Sequence, residues 1–153
     1  MKRSEVEAQI ATFLAKYDPS IRKELIAARK HLRGVFPQGY ELVYDNYNAL
    51  VFAFSSSERA SDVVFSVAGY PKWITLFFTN GKALKDPQKL LQGEGSHIRS
   101  VRLADGTTLD NRDVQALVAQ ALKRSEPKLA TAPAVTTVVK SISAKQRPRR
   151  PVK

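Results

Sequence analysis

The chain contains 153 residues, with 25 Lys and Arg against 14 Asp and Glu, so its formal net charge is +11, and it has no Cys. This length fits one domain with a buried core, and the lack of Cys excludes disulfide frameworks, thiolate nucleophiles and Cys-ligated metal centres. No apolar run approaches the roughly 20 residues of a membrane span, and the N-terminus leads straight into a charged segment. We therefore expect a soluble, cytoplasmic protein with no membrane partner.

The first 36 residues have the spacing of two amphipathic helices. Ser4 and Glu7 form a capping-box pattern at the start of the first helix, and Asp18 followed by Pro19 predicts the cap and first position of the second. The predicted buried stripes are Val6, Ile10, Phe13, Leu14 and Tyr17 on the first helix, and Ile21, Leu25, Ala28, Leu32 and Val35 on the second.

From Tyr40 the period changes to two, which predicts strands. Segments 40–44, 49–54, 62–68 and 73–78 are separated by short turns, so they must pair as an antiparallel meander. Side-chain parity places Leu50, Phe52, Phe54, Val63, Phe65, Val67, Trp73, Thr75 and Phe77 on the face that the helices cover. We expect the other face to meet the last helix, the C-terminal segment or a second subunit.

The remainder of the body predicts a helical turn at residues 86–91, a fifth strand at 99–103, a turn at Asp105 and Gly106, and a final helix. Asp110 is its expected N-cap, and Leu109 is expected to staple against Val114. The predicted class is thus α+β, with two N-terminal helices and a C-terminal helix packed on an antiparallel sheet of about five strands. Residues 1–124 form this domain.

Residues 125–153 differ in composition and carry seven of the basic residues and one acidic residue. The segment has no aromatic residue and is rich in Ala, Thr, Val and Pro, so its default prediction is a flexible basic tail. Residues 134–142 are rich in β-branched side chains, however, and an edge strand is an equal alternative there.

Three segments of the chain resemble the YdhG-like family, a bacterial domain of unknown function. They are residues 41–51 (ELVYDNYNALV), 70–78 (YPKWITLFF) and 86–95 (DPQKLLQGEG), and the similarity covers about residues 5 to 124. Some members of that family are described as frataxin-like intracellular iron chaperones, with two helices on an antiparallel sheet. The resemblance therefore implies that fold and raises iron delivery as an alternative function.

The residues that iron handling would need are not evident in this chain. Frataxin-type sites use clustered carboxylates because iron ions favour oxygen ligands. Residues 4–36 hold four acidic residues, Glu5, Glu7, Asp18 and Glu24, against six basic ones, Lys16, Arg22, Lys23, Arg29, Lys30 and Arg33. We therefore assign no metal-ligating residue and no cofactor from the sequence.

Basic residues give the clearest candidate site, which is one for an anionic partner. At about 100° per residue, Arg22, Arg29 and Arg33 fall within roughly 40° of one another, with Lys30 beside them. A loop containing Gly93 and Gly95, followed by Arg99 and Arg102, could form an anion-binding nest. Arg147, Arg149 and Arg150 in the tail add to this charge. A basic helix face with a basic tail favours nucleic acid or another polyanion, although a solvated helix surface and a plain turn explain the same residues.

A second candidate is a small pocket around the turn after the first strand. Tyr44, Asp45 and Tyr47 surround this turn, and Tyr70 and Trp73 could flank them across the sheet. Turn chemistry and the aromatic core are the alternative explanation. The two histidines, His31 and His97, belong to no catalytic pattern. We predict a non-catalytic binding module for an anionic partner, with a protein partner or homodimer as a further alternative.

Overall fold

The computed structural model describes residues 2–103 and 109–151. Its helices are α1 (Arg3–Leu14), α2 (Pro19–Val35), α3 (Arg112–Arg124) and α4 (Glu126–Leu129). Its strands are β1 (Tyr40–Asp45), β2 (Leu50–Ser55), β3 (Val63–Gly69), β4 (Ile74–Phe78), β5 (Arg99–Leu103) and β6 (Thr136–Ile142). The predicted α+β class is confirmed. The predicted turn at Asp105 and Gly106 lies outside the described residues.

The six strands form one sheet in the order β5-β4-β3-β2-β1-β6. Neighbouring strands from β1 to β5 pair antiparallel, which is the expected meander. Strand β6 pairs parallel to β1 and makes the sheet mixed. The β-branched segment of the tail therefore forms an edge strand, and it does not cover a sheet face.

All the long helices pack on one face of the sheet. Their buried apolar side chains join one cluster with strand residues such as Val43, Phe52 and Leu76. The predicted stripe of α1 is buried, and so is that of α2 up to Leu32. Val35 is exposed, contrary to the prediction, and Phe36 is buried instead, because α2 ends at Val35 and the chain leaves the helical path there.

The predicted facing of β4 is wrong. Leu76 lies opposite Val67, and Phe78 lies opposite Phe65, so Ile74, Leu76 and Phe78 face the helices. Trp73, Thr75 and Phe77 were expected there. Both sets of three contain large apolar side chains, so hydrophobicity alone does not decide which set faces the helices. The pairing register with β3 decides between them.

The opposite face of the sheet carries half-buried residues beside buried ones such as Leu42, Ala53 and Ala68. The half-buried residues include Tyr40, Tyr44, Val51 and Phe77. The helices of the described residues place their buried apolar side chains in the cluster on the first face.

Three local predictions, two about helix starts and one about a helical turn, are corrected. Helix α1 begins at Arg3 with Lys2 at the N-cap position, so Ser4 lies inside the helix and no side chain caps it, while Glu7 contacts Arg29. The cap of α3 is Asn111, whose side chain accepts from the backbone N–H of Asp113 and Val114. At residues 86–91 there is a turn in which the Asp86 carboxylate accepts from the backbone N–H of Leu90 and Leu91.

Candidate functional site

Two carboxylates on strand β1 are fully buried on the helix-facing side of the sheet. Glu41 and Asp45 share this side with Val43, and both are 0% exposed. Their spacing of four residues along a strand separates them by about 13 Å. A buried charge is tolerated only when it is paired and hydrogen-bonded, so each carboxylate needs its own cation.

Glu41 is paired with two arginines of helix α2. Arg29 donates from Nε to Glu41 Oε2 at 2.8 Å and from a terminal nitrogen to Oε1 at 2.8 Å. Arg33 donates to Oε1 at 2.9 Å, and the Thr137 hydroxyl of β6 donates to the same oxygen at 2.7 Å. The carboxylate therefore joins α2 to two strands of the sheet.

Arg29 is shared between this buried carboxylate and Glu7 of α1. Its terminal nitrogens donate to both Glu7 oxygens at 2.9 and 3.0 Å, and its guanidinium lies over the Phe52 ring at 4.9 Å. Burial opposes the charged form, but the hydrogen bonds that Arg29 donates to Glu41 and Glu7 outweigh it and raise the pKa of Arg29. The hydrogen bond from Arg29 lowers the pKa of Glu7.

This cluster predicts a stability that depends on pH through Glu7. Because the pKa of Glu7 is lower in the folded chain than its ordinary value of 4.5, its contribution is complete above that value and is lost as pH falls below it. Urea unfolding between pH 6 and pH 3 should show a smaller acid loss for Glu7→Gln than for the unchanged chain. Equal acid losses in the two proteins would contradict this assignment.

Asp45 is paired with cations from both ends of the chain. Arg149 donates to Oδ1 at 2.9 Å, and the Lys16 ammonium donates to Oδ2 at 2.6 Å. The Arg149 side chain is only 2% exposed. It also donates to the Asn46 carbonyl and, at 3.0 Å, to the Tyr17 hydroxyl. The tail therefore returns to the domain and places one arginine inside it, where a flexible tail was the default prediction.

Tyr17, which contacts Arg149 beside Asp45, is fully buried. Its hydroxyl donates to the Gly69 carbonyl at 2.6 Å and accepts from the backbone N–H of Leu50 at 2.9 Å. Burial is the largest influence on this phenol and raises its pKa, although Arg149 and the Leu50 N–H oppose that effect.

The docked tail builds one wall of a surface groove of about 510 Å³. We call it the aromatic–basic groove. Tyr70 and Trp73 stack at its base with ring centroids 5.5 Å apart, and Arg102 lies over the Trp73 ring at 4.1 Å. Its described lining residues include no carboxylate; they are Asn48, Tyr70, Pro71, Lys72, Trp73, Arg147, Pro148, Arg150 and Pro151.

The structure brings together only part of the predicted pocket. Tyr70 and Trp73 line the aromatic–basic groove, whereas Asp45 is enclosed with Arg149 beneath the tail. Tyr44 points to the opposite face of the sheet, because it alternates with Asp45 along β1, and burial raises its pKa. Tyr47 is exposed, and its carbonyl accepts from the backbone N–H of Arg147 at 2.8 Å.

The basic residues predicted to bind an anion separate into internal and external groups. Arg29, Arg33 and Arg149 contact the buried carboxylates, and Arg22 donates to the Tyr17 carbonyl at 3.0 Å. Lys30 and Arg147 are exposed. Arg150 contacts Asp18 at 3.6 Å and donates to the Lys16 carbonyl at 3.2 Å, so it also holds the end of α1.

The glycine loop presents an arginine that bonds to the loop itself. Gly93 has a φ of +125°, a left-handed conformation that suits glycine, and Gly95 has open space around it. Arg99 donates to the carbonyls of Gly95 at 2.6 Å and Ile98 at 2.7 Å. This arginine binds acceptors of the loop, and Arg102 lies at Trp73.

A second cavity, of about 600 Å³, lies between β3, β4 and α3. Val64, Phe78 and Ala121 form apolar lining, and His97 and Arg124 lie at its rim. Asp62, which also lines it, has a pKa lowered by hydrogen bonds from Ser57 and then Lys128.

Within residues 2–103 and 109–151, no three His, Asp or Glu side chains are grouped so that they could hold a metal ion. No helix in that part of the chain is both long enough and apolar enough to cross a membrane.

Comparison with known proteins finds no matching family model, no matching curated protein and no matching solved structure.

Sequence reasoning missed the partners that enclose the two carboxylates. Lys16, Tyr17 and Thr137 were not predicted as members of any polar site. One signal was available, since an acidic residue inside an apolar strand requires a buried cation if its strand position faces the core. The excess of arginine on α2 offered that cation.

Proposed function

We propose that this chain is a non-catalytic binding module for an anionic partner, specifically a single-stranded nucleic acid, and that the aromatic–basic groove is its contact surface. The YdhG-like resemblance is the basis for proposing the same family. The observation that carries the function is the groove itself, where two stacked aromatic rings lie among cationic side chains and the described lining contains no carboxylate.

The chemistry of the groove suits a single strand because such ligands offer two features at once. Lys72 and Arg147 are exposed cations that could contact phosphates, and the release of condensed counterions would drive that contact. Tyr70 and Trp73 provide rings on which unpaired bases stack, and such stacking is worth about 1–3 kcal/mol per base.

The ion pairs within the chain show which basic residues are already bound to carboxylates and which are available to a ligand. Arg29, Arg33 and Arg149 already bond to carboxylates, so a phosphate would have to compete with these pairs. Lys72 and Arg147 have no described carboxylate within ion-pair distance. We therefore assign phosphate contact to these two residues.

Fluorescence anisotropy with a labelled oligothymidylate tests the charge contribution. The double variant Lys72→Ala/Arg147→Ala should bind more weakly at low salt, and its dependence of log affinity on log salt should be shallower by about 0.7 per lost contact. The variant Lys123→Ala/Arg112→Ala removes the same charge from α3, outside the groove. Equal losses in both variants, or binding that does not weaken with salt, would contradict the proposal.

A ring substitution distinguishes nucleic acid from other polyanions. Tyr70→Leu should weaken oligothymidylate binding by about 1–3 kcal/mol because it removes a stacking surface. Heparin has no bases, so its binding should not change. If heparin and oligothymidylate lose affinity equally, the partner is recognised by charge alone, and the single-strand assignment fails.

A further inference from the structure

The pocket that receives Arg149 is held in shape largely by contacts within the domain, and Lys16 also donates to Gln146 of the tail at 2.8 Å. The Tyr17 hydroxyl is fixed between the Gly69 carbonyl and the Leu50 N–H. Asp45 Oδ2 is held by Lys16, which leaves Oδ1 for the guanidinium. The Asn46 carbonyl belongs to the turn after β1, where the Asn46 N–H donates to the Ala49 carbonyl at 2.9 Å. Withdrawal of Arg149 would therefore leave three aligned acceptors in place.

The tail is attached to the domain through the buried Arg149 side chain and through more exposed bonds of Gln146 and Arg150. Residues 143–151 have no regular secondary structure, and Arg149 is the one buried residue among them. Two backbone bonds fasten the segment, from Ser143 N–H to the Asp45 carbonyl at 2.9 Å and from Arg147 N–H to the Tyr47 carbonyl at 2.8 Å. Because only one of its residues is buried and it has no regular secondary structure, we expect this segment to open locally at a lower free-energy cost than the core of the domain.

We infer that Tyr17, Asp45 and the Asn46 carbonyl form a guanidinium-binding site that accepts the arginine side chain of a basic peptide in trans, and that the tail occupies this site in cis. The acceptor set matches guanidinium chemistry, since a carboxylate, a carbonyl and a hydroxyl receive the N–H groups and the Tyr17 ring lies 5.7 Å from the guanidinium carbon. This ligand is cationic, so the inference stands apart from the anion-binding groove.

The fit of the tail leaves one donor of the guanidinium without an acceptor. Arg149 Nε is buried and makes no hydrogen bond with the described residues. An unpaired buried donor weakens the binding of Arg149 by its own chain. The main advantage of the tail over a separate peptide is therefore its high effective concentration, which comes from being tethered. Removal of the Arg149 side chain eliminates that competition.

The full-length variant Arg149→Ala is the test protein. Its thermal midpoint should rise saturably with millimolar ethylguanidinium and should not rise with ethylammonium, which lacks the planar donor fork. Arg149→Ala/Asp45→Asn is the matched control, because it keeps the vacant space but lacks the carboxylate. This control should show no saturable response.

Peptide binding identifies the macromolecular ligand. An acetylated, labelled peptide with the sequence of residues 146–151, QRPRRP, should bind Arg149→Ala about tenfold or more tightly than Arg149→Ala/Asp45→Asn. The same peptide with lysine at its fourth position should bind like the control. Binding of ethylguanidinium without binding of QRPRRP would overturn the peptide assignment.

Refolding provides the readout if Arg149→Ala does not fold by itself. Folded, soluble protein should then be recovered when ethylguanidinium or QRPRRP is present and not when ethylammonium is present. Recovery with none of these ligands, or equal recovery with ethylammonium, would overturn the inference.

Discussion

Arg29→Ala is expected to lower the free energy of unfolding by about 3–5 kcal/mol, because it leaves the fully buried Glu41 without its bidentate partner. Arg33 and Thr137 still bond to one Glu41 oxygen, but Oε2 accepts only from Arg29 among the contacts described. Urea unfolding at neutral pH measures the loss. Lys30→Ala is the control, since Lys30 is the exposed neighbour, and its effect should stay within about 0.5 kcal/mol.

A paired substitution separates the unpaired charge from lost packing. Arg29→Met/Glu41→Leu removes both charges and fills similar volume, so it should be more stable than Arg29→Ala, since apolar replacement of a buried ion pair is often neutral or stabilising. A loss from Arg29→Ala no larger than that from Lys30→Ala would show that the pair behaves like an exposed salt bridge. That result would contradict the expectation that the fold depends on the pairing of Glu41 with Arg29.

Arg149→Ala is expected to cost about 3 kcal/mol, near the lower end for a broken buried pair, because Lys16 continues to neutralise Asp45. The substitution also leaves the Tyr17 hydroxyl and the Asn46 carbonyl without the guanidinium. Lys145→Ala removes an exposed cation from the same segment and should be nearly neutral. Urea unfolding of these two variants provides the comparison.

Hydrogen exchange tests whether Arg149 holds the tail. In Arg149→Ala, the backbone N–H groups of Ser143 and Arg147 should lose protection, because their acceptors on β1 and the following turn are no longer kept close. Unchanged protection together with an unchanged unfolding curve would show that the tail docks without this residue. In that case the groove wall formed by Arg147 and Arg150 would not depend on Arg149.

Much of the architecture follows from local patterns in the chain. The stripes of α1 and α2 repeat with the helical period, and the strands of the meander alternate between short turns, so these elements are visible without tertiary information. The facing of β4 is not visible, since Trp73, Thr75 and Phe77 compete with Ile74, Leu76 and Phe78 for the same side. Only the register with β3 resolves that choice.

Part of the candidate site could likewise be predicted from local sequence, and part of it could not. Tyr70 and Trp73 are close in sequence, so their proximity in the groove could be expected from a single turn. Lys72 lies between them, but Arg147 and Arg150 come from a tail whose path no local pattern predicts. Asp45 and Arg149 are 104 residues apart, and Tyr17 and Arg149 are 132 apart.

The sequence by itself determined a basic α+β chain with two N-terminal helices and an antiparallel meander, because hydrophobic periodicity and turn residues act over a few positions. Only the tertiary structure decided that Glu41 and Asp45 lie inside, that Arg29 and Arg149 neutralise them, and that the tail adds a parallel strand. The physical reason is that a buried charge is stable only beside its partner, and that partner is chosen by the packing of distant segments.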